Sequence, residues 1–139
     1  MADPAASAAR FQNLATRLLR QARLLDEGSS LTSAQYSALS TLYSHPGLLL
    51  TELAVMEYVS HPTMSRIVAA LIKQGLVVRQ ADANDRRAAR LSLSDDGTAA
   101  YRRVYDRRLK LIGALLSRLK PETVSDVLAA LEDLPQLKS

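Results

Sequence analysis

The chain contains no cysteine, no tryptophan, a single phenylalanine and two histidines among its 139 residues. Without cysteine there is no disulfide, no thiolate metal ligand, no thiol nucleophile and no thiol redox switch, so any signal it senses is a non-thiol one. Aromatic residues make up 4% of the chain and hydrophobic residues 47%. The core must therefore be built from Leu, Val, Ile and Ala, the composition of packed helices. The histidines, His45 and His61, stand in separate turn-like contexts, each followed by proline. No Gly-rich phosphate loop and no nucleophile motif accompany them, so enzymatic chemistry, a cofactor and a metal find no foundation. No apolar run approaches the roughly 20 residues that cross a bilayer. The opening Met1-Ala2-Asp3-Pro4 lacks the charged-then-apolar layout of a secretory signal. The expectation is a soluble, cytoplasmic, non-enzymatic protein of one compact unit, with no membrane partner.

What is present is a localised positive charge. Between residues 60 and 93 stand Arg66, Lys73, Arg79, Arg86, Arg87 and Arg90, opposed only by Asp82 and Asp85, while the flanking segments almost cancel. That stretch accounts for the formal net charge of +4. A basic excess gathered in one place is the footprint of a polyanion-binding surface, whereas a scattered one mostly serves solubility.

Periodicity places this charge on recognisable elements. Met64, Ile67, Val68, Leu71 and Ile72 recur at helical spacing and form one buried stripe, with Ser60 as N-cap. The opposite side carries Pro62, Arg66, Ala69 and Lys73, with Thr63, Ser65 and Ala70 at its margins. Small residues let a helix approach a groove floor, and the arginine and hydroxyls supply donors for base edges and phosphates. A short helix over 52–58, capped by Thr51, precedes it. After it the pattern switches to two strands, 76–80 and 90–94, joined by a polar, basic loop. Helix, turn, helix and basic hairpin is the layout of a winged DNA reader.

On either side lie longer amphipathic helices. The first spans about 4–26 with Phe11, Leu14, Ala15, Leu18, Ala22 and Leu25 on one face, and a second runs from Thr32 or Ser33 to the turn at 44–47. A fifth starts after the Ser94 cap and reaches about Leu119; Pro121-Glu122 opens the sixth. The fold class expected is mainly α with a small β-hairpin wing, about six helices in all. A module as small as the reader cannot bury three further apolar stripes. The terminal helices either pack together and against a second copy or form a self-contained helical cap.

Three pieces in this order carry a resemblance. They are Leu53-Ala54 followed by Val59-Ser60-His61-Pro62-Thr63-Met64-Ser65-Arg66, the exit Leu71-x-x-x-Gly75-x-Val77-x-Arg79, and the wing Asp85-Arg86-Arg87 leading to Leu91-Ser92-Leu93-Ser94-Asp95-Asp96-Gly97. Together they resemble the MarR family of bacterial winged-helix transcription regulators over roughly residues 31–134. The resemblance implies a homodimer, with residues 1–30 and 95–139 forming the dimerisation region and 31–94 the winged helix-turn-helix. It also implies binding to a pseudo-palindromic double-stranded operator, usually to repress, with release by a small aromatic or phenolic effector. Lys120 departs from the hydroxyl N-cap common in the family, and the absence of cysteine separates this chain from peroxide-sensing members.

Candidate roles follow, each beside its plainer alternative. Arg66 is the leading DNA contact, the alternative being a solvated surface arginine. Thr63 and Ser65 donate to phosphates or bases, or Thr63 merely satisfies the first helical turn. Ser60, His61 and Pro62 shape the helix start, with His61 within reach of phosphate; Lys73 contacts the DNA backbone or is solvated. Arg86 and Arg87 occupy the wing tip, where arginine enters a narrow minor groove; the family pattern pairs Asp85 with Arg87 and leaves Arg86 pointing outward. Arg90 and Arg79 touch phosphate or pack across the hairpin. Tyr36, Tyr43, His45 and Arg17 line a crevice between reader and dimerisation region that suits an effector, or else the tyrosines are aromatic core. The competing functions are a nonspecific or architectural DNA-binding protein and a protein-interaction module that has lost DNA contacts.

Overall fold

The computed structural model describes residues 3–24, 26 and 28–135. In chain order the elements are α1 (Pro4–Leu24), α2 (Ser33–Ser44), β1 (Leu48–Leu49), α3 (Leu50–Met56), α4 (His61–Lys73), β2 (Val77–Ala81), β3 (Ala89–Leu93), α5 (Asp95–Leu116) and α6 (Pro121–Glu132). The sheet is antiparallel in the order β1-β3-β2. It has three strands rather than the expected two. Leu48 and Leu49 pair with Leu91 and Arg90 of β3 before the chain turns into α3. As a consequence α3 starts at Leu50 instead of Glu52. Thr51 is not its N-cap; Leu49 holds that position with no side-chain bond. The first helix ends at Leu24 and the fifth at Leu116, each earlier than expected, and the expected stripe residue Leu25 lies outside the described residues.

The core gathers where α2, α3, α4, the sheet and the start of α5 converge. Leu39, Leu42, Leu53, Met64, Val68, Leu71, Leu91 and Val104 are fully buried there. Local chemistry fixes the ends of these elements. Thr32 and Gln35 exchange side-chain and backbone bonds in a capping box that starts α2. Glu57, at the end of α3, accepts from the hydroxyls of Ser37 at 2.6 Å and Thr41 at 2.5 Å, and so ties α3 to α2. Helix α4 closes in a Schellman arrangement: Gly75 N–H donates to Ile72 O and Leu76 N–H to Leu71 O, with Gly75 at φ 74°.

The first turn of α5 is clamped onto this exit. Ser94 donates its backbone N–H to Leu76 O at 3.0 Å and its hydroxyl to Gly75 O at 2.5 Å, and its oxygen also accepts the N–H of Gly97. Gly97 lies so close that a Cβ there would stand 1.9 Å from Leu76 O. Farther along α5, Tyr101 stacks on Tyr36 at 5.6 Å and lies 4.7 Å from Tyr43, with Tyr105 on its other side at 5.5 Å. Arg108 sits over the Tyr36 ring at 3.9 Å and pairs with Asp26 at 2.7 Å. That ion pair is largely buried, with side-chain exposures of 20% and 11%.

Two measurements test this packing. Gly97→Ala puts a methyl group into backbone that has no rotamer to give, so denaturant unfolding should show a loss near the upper end of overpacking costs, about 3 kcal/mol. Arg108→Met should also destabilise by about 3 kcal/mol, because it strands Asp26 as a buried unpaired charge. Burial raises the pKa of the Tyr36 hydroxyl above its ordinary value, and Arg108 opposes that rise. The neutral phenol is therefore the folded form. Its contribution to stability is complete below the unfolded tyrosine value and is lost as pH climbs through the raised one. The tyrosinate absorbance difference between wild type and Tyr36→Phe should titrate above the ordinary range, and higher still in the Arg108→Met background.

Candidate nucleic-acid interface

Helix α4 presents the surface anticipated for it. Met64, Val68 and Leu71 are buried and Ile67 and Ile72 half-buried, while Pro62, Ser65, Arg66, Ala69 and Lys73 are exposed. Ser60 caps the helix by accepting the N–H of Thr63 at 3.3 Å, and its hydroxyl donates to Thr63 Oγ1 at 2.9 Å. Thr63 thus serves the first turn as an acceptor and keeps its own hydroxyl proton for another partner. His61 and Pro62 form the first turn and are exposed. Arg66 is exposed and has no ion pair among the described residues.

The wing stands beside this helix. Strands β2 and β3 pair from Val77↔Leu93 to Ala81↔Ala89, and the loop 82–88 carries Arg86 and Arg87, both exposed. The brace attributed to Asp85 and Arg87 takes a different form: Asp85 Oδ1 accepts the backbone N–H of Arg87 at 2.9 Å, an Asx-type turn. The Arg87 guanidinium is left unpaired among the described residues. Arg90, expected among the DNA contacts, is exposed and also tethered to the wing base. Its Nε pairs with Asp82 at 3.0 Å and its Nη1 donates to Gly47 O at 2.9 Å, which joins the wing base to the turn before β1. Arg79, placed at the hairpin base, faces a cleft with Arg87 and His61.

The four effector candidates are not brought together. Tyr36 and Tyr43 meet through Tyr101. His45 is the exposed C-cap of α2, and Arg17 lines a groove between α1 and α5 with Leu115 and Leu119. Tyr101 and Leu115 are 14 residues apart on one helix, so that groove is about 20 Å from the tyrosines. Sequence reasoning missed Arg108, Arg102 and Asp26. Arg108 stands two turns after Tyr101 on the same face of α5, a spacing that was available; its pairing with Asp26, 82 residues away, was not. Arg102 lies over the Tyr43 ring at 5.5 Å. One buried oxygen of Asp26 and the Nε of Arg108 have no hydrogen-bond partner among the described residues. Among the described residues no helix is long and apolar enough to cross a membrane.

Comparison with known proteins gives concordant findings. The MarR family model matches residues 31–89. An uncharacterized HTH-type transcriptional regulator of Mycobacterium bovis is 31% identical over 118 residues, covering 85% of this chain and 82% of the relative. The transcriptional repressor CouR, solved bound to a 23-mer DNA duplex, is 26% identical with a TM-score of 0.75, covering 88% of this chain and 87% of that one. A MarR family protein from Bacillus stearothermophilus has the same fold, with a TM-score of 0.83 at 22% identity and 94% of each chain covered. With this reading helix, this wing and these relatives, the chain belongs to the MarR family of winged helix-turn-helix transcriptional regulators.

Proposed function

We propose that this regulator is a homodimeric, cytoplasmic repressor that binds a pseudo-palindromic double-stranded operator, each subunit laying α4 in a major groove and its wing tip along the adjacent minor groove. The observation that carries the reading is the exposed polar and cationic face of α4, centred on Arg66, beside the exposed Arg86 and Arg87 of the wing, which have no ion pair among the described residues. Ser60, His61, Pro62, Thr63 and Ser65 surround the helix start that meets the DNA, and Lys73 faces the backbone. Arg90 acts mainly by holding the wing in place. Base edges read by Arg66 supply specificity, and phosphate contacts supply register and most of the salt-dependent affinity.

Dimerisation through residues 1–30 and 95–139 is supported by what those helices leave uncovered. Helix α6 has no buried residue and α1 only Ala22, while Phe11, Leu14, Leu18, Leu115, Leu119, Leu128 and Leu131 are exposed in the single chain. An apolar surface of this extent marks an interface. Release by a small aromatic or phenolic effector is supported by the stacked Tyr36, Tyr101 and Tyr105 beside Arg108, whose Nε has no hydrogen-bond partner among the described residues. The role in this reading is regulatory, as in the family, with His45 and His61 ending and beginning different helices.

Footprinting on the DNA upstream of the protein's own gene should reveal two half-sites about one helical turn, roughly 34 Å, apart. Arg66→Ala should weaken that binding by about 1–3 kcal/mol, the value of one bidentate base contact. Equal affinity of wild type and variant at moderate salt would remove Arg66 from the interface, and competition by random DNA as effective as by operator would favour a nonspecific binder. Leu128→Glu, on the uncovered face of α6, should leave the fold intact by circular dichroism and sediment as a monomer with operator affinity lost. A wild type that sediments as a monomer at micromolar concentration would end the dimer reading.

A further inference from the structure

The tip of the wing does not lie flat on the reader. Between the loop 82–88, the base of β2 and the starts of α3 and α4 runs an open cleft of about 270 Å³. Its floor is apolar, formed by Leu50 and Leu91, and its polar walls are Thr51, His61, Arg79 and Arg87. No carboxylate among the described residues lines it. The nearest acids of the wing are already engaged, Asp82 with Arg90 and Asp85 with the Arg87 backbone. Neither Arg79 nor Arg87 has an ion pair among the described residues, and the Thr51 hydroxyl, displaced from the capping role expected of it, has no bond there either.

Two guanidiniums facing one cleft without a counter-charge repel each other and focus a positive potential into it. An apolar floor beneath them lowers the local polarisability and strengthens the attraction for an anion. The volume is several times the ~30 Å³ of a water molecule, enough for one tetrahedral anion with part of its hydration. We infer that this cleft seats a single phosphate of the DNA backbone, gripped by Arg79 and Arg87 from the wing and by His61 and Thr51 from the reader. The inference rests on the DNA-binding role proposed above, takes the phosphate contact over hairpin packing for Arg79 and adds Thr51 to the contact surface. It also gives the seat a purpose. A phosphate held from both sides fixes the separation between α4 and the wing, so one backbone contact sets the register of groove reading by both.

The test uses the full-length protein and a random-sequence duplex long enough for both half-sites, with affinity followed over a salt series. Each lost phosphate contact lowers the slope of log affinity against log salt by about 0.9, so Arg79→Gln should lower it by about two in a dimer, and Arg79→Lys should restore most of it. His61→Asn combined with Arg79→Gln should lose less than the two single losses added together, because both residues hold the same phosphate. An unchanged slope in Arg79→Gln, with wild type binding normally, overturns the seat and leaves the DNA-binding role standing. Additive losses in the double variant overturn a shared phosphate. Failure of wild type to bind duplex DNA at all removes both readings together. Inorganic phosphate, titrated against chloride at matched ionic strength while the His61 imidazole is followed by NMR, separates the two sources of this anion. A saturable response lost in Arg79→Gln, combined with an unchanged DNA slope, assigns the cleft to the free ion and overturns the inference.

Discussion

The molecule depends on the contact between the first turn of α5 and the backbone at Gly75 and Leu76. Here α5, the longest helix, is joined to the exit of the reading helix by two bonds from Ser94 and by the missing side chain of Gly97. Backbone-to-backbone packing of this kind has no side-chain rotamers through which to relax, so the angle between α5 and α4 is set within the tolerance of a hydrogen bond. In a dimer built on α5, that angle decides where two copies of α4 stand relative to each other. In such a dimer the spacing of the reading helices follows from these few backbone atoms.

A second division runs through the arginines. Arg90 and Arg108 are committed to partners within the chain, the exposed Arg90 to Asp82 and a carbonyl, the mostly buried Arg108 to Asp26 and a tyrosine ring. Arg66, Arg79, Arg86 and Arg87 face outward without ion pairs among the described residues. The committed pair stiffens the frame, since a bridged guanidinium gives up its rotamers to hold two elements in register. The free set keeps its charge available for a polyanion, where each contact also releases counterions. One residue type thus serves as both rivet and probe, and carboxylate partners in the vicinity determine which.

Much of this was legible in the sequence wherever a periodic or capping signal was local. The stripe of Met64, Val68 and Leu71, the caps at Thr32, Ser60 and Ser94, and the alternation in β3 each define an element from within a few residues. Strand β1 was not legible, because two leucines ahead of a third have no period, and pairing with β3 is a property of the partner. The same limit applies to the site. The sequence placed arginines at 79, 87 and 90 but could not say that Arg90 reaches Gly47 across 43 positions. Nor could it separate the tyrosines that meet from Arg17 and His45, which do not join them. The stripes on α1 and α6 showed which face is apolar, whereas only the fold shows that the chain itself leaves that face bare.

Helix α2 is held along both flanks by contacts of different character. On one side Tyr36 and Tyr43 rest against the rings of α5; on the other, one turn apart, Ser37 and Thr41 grip the two oxygens of Glu57. Glu57 sits three residues before the Ser60 cap of the reading helix. The rings supply area without direction, whereas the two-pronged carboxylate grip fixes the rotation of α2 against α3. Helix α2 therefore joins the aromatic cluster of α5 to the segment that leads into the reading helix.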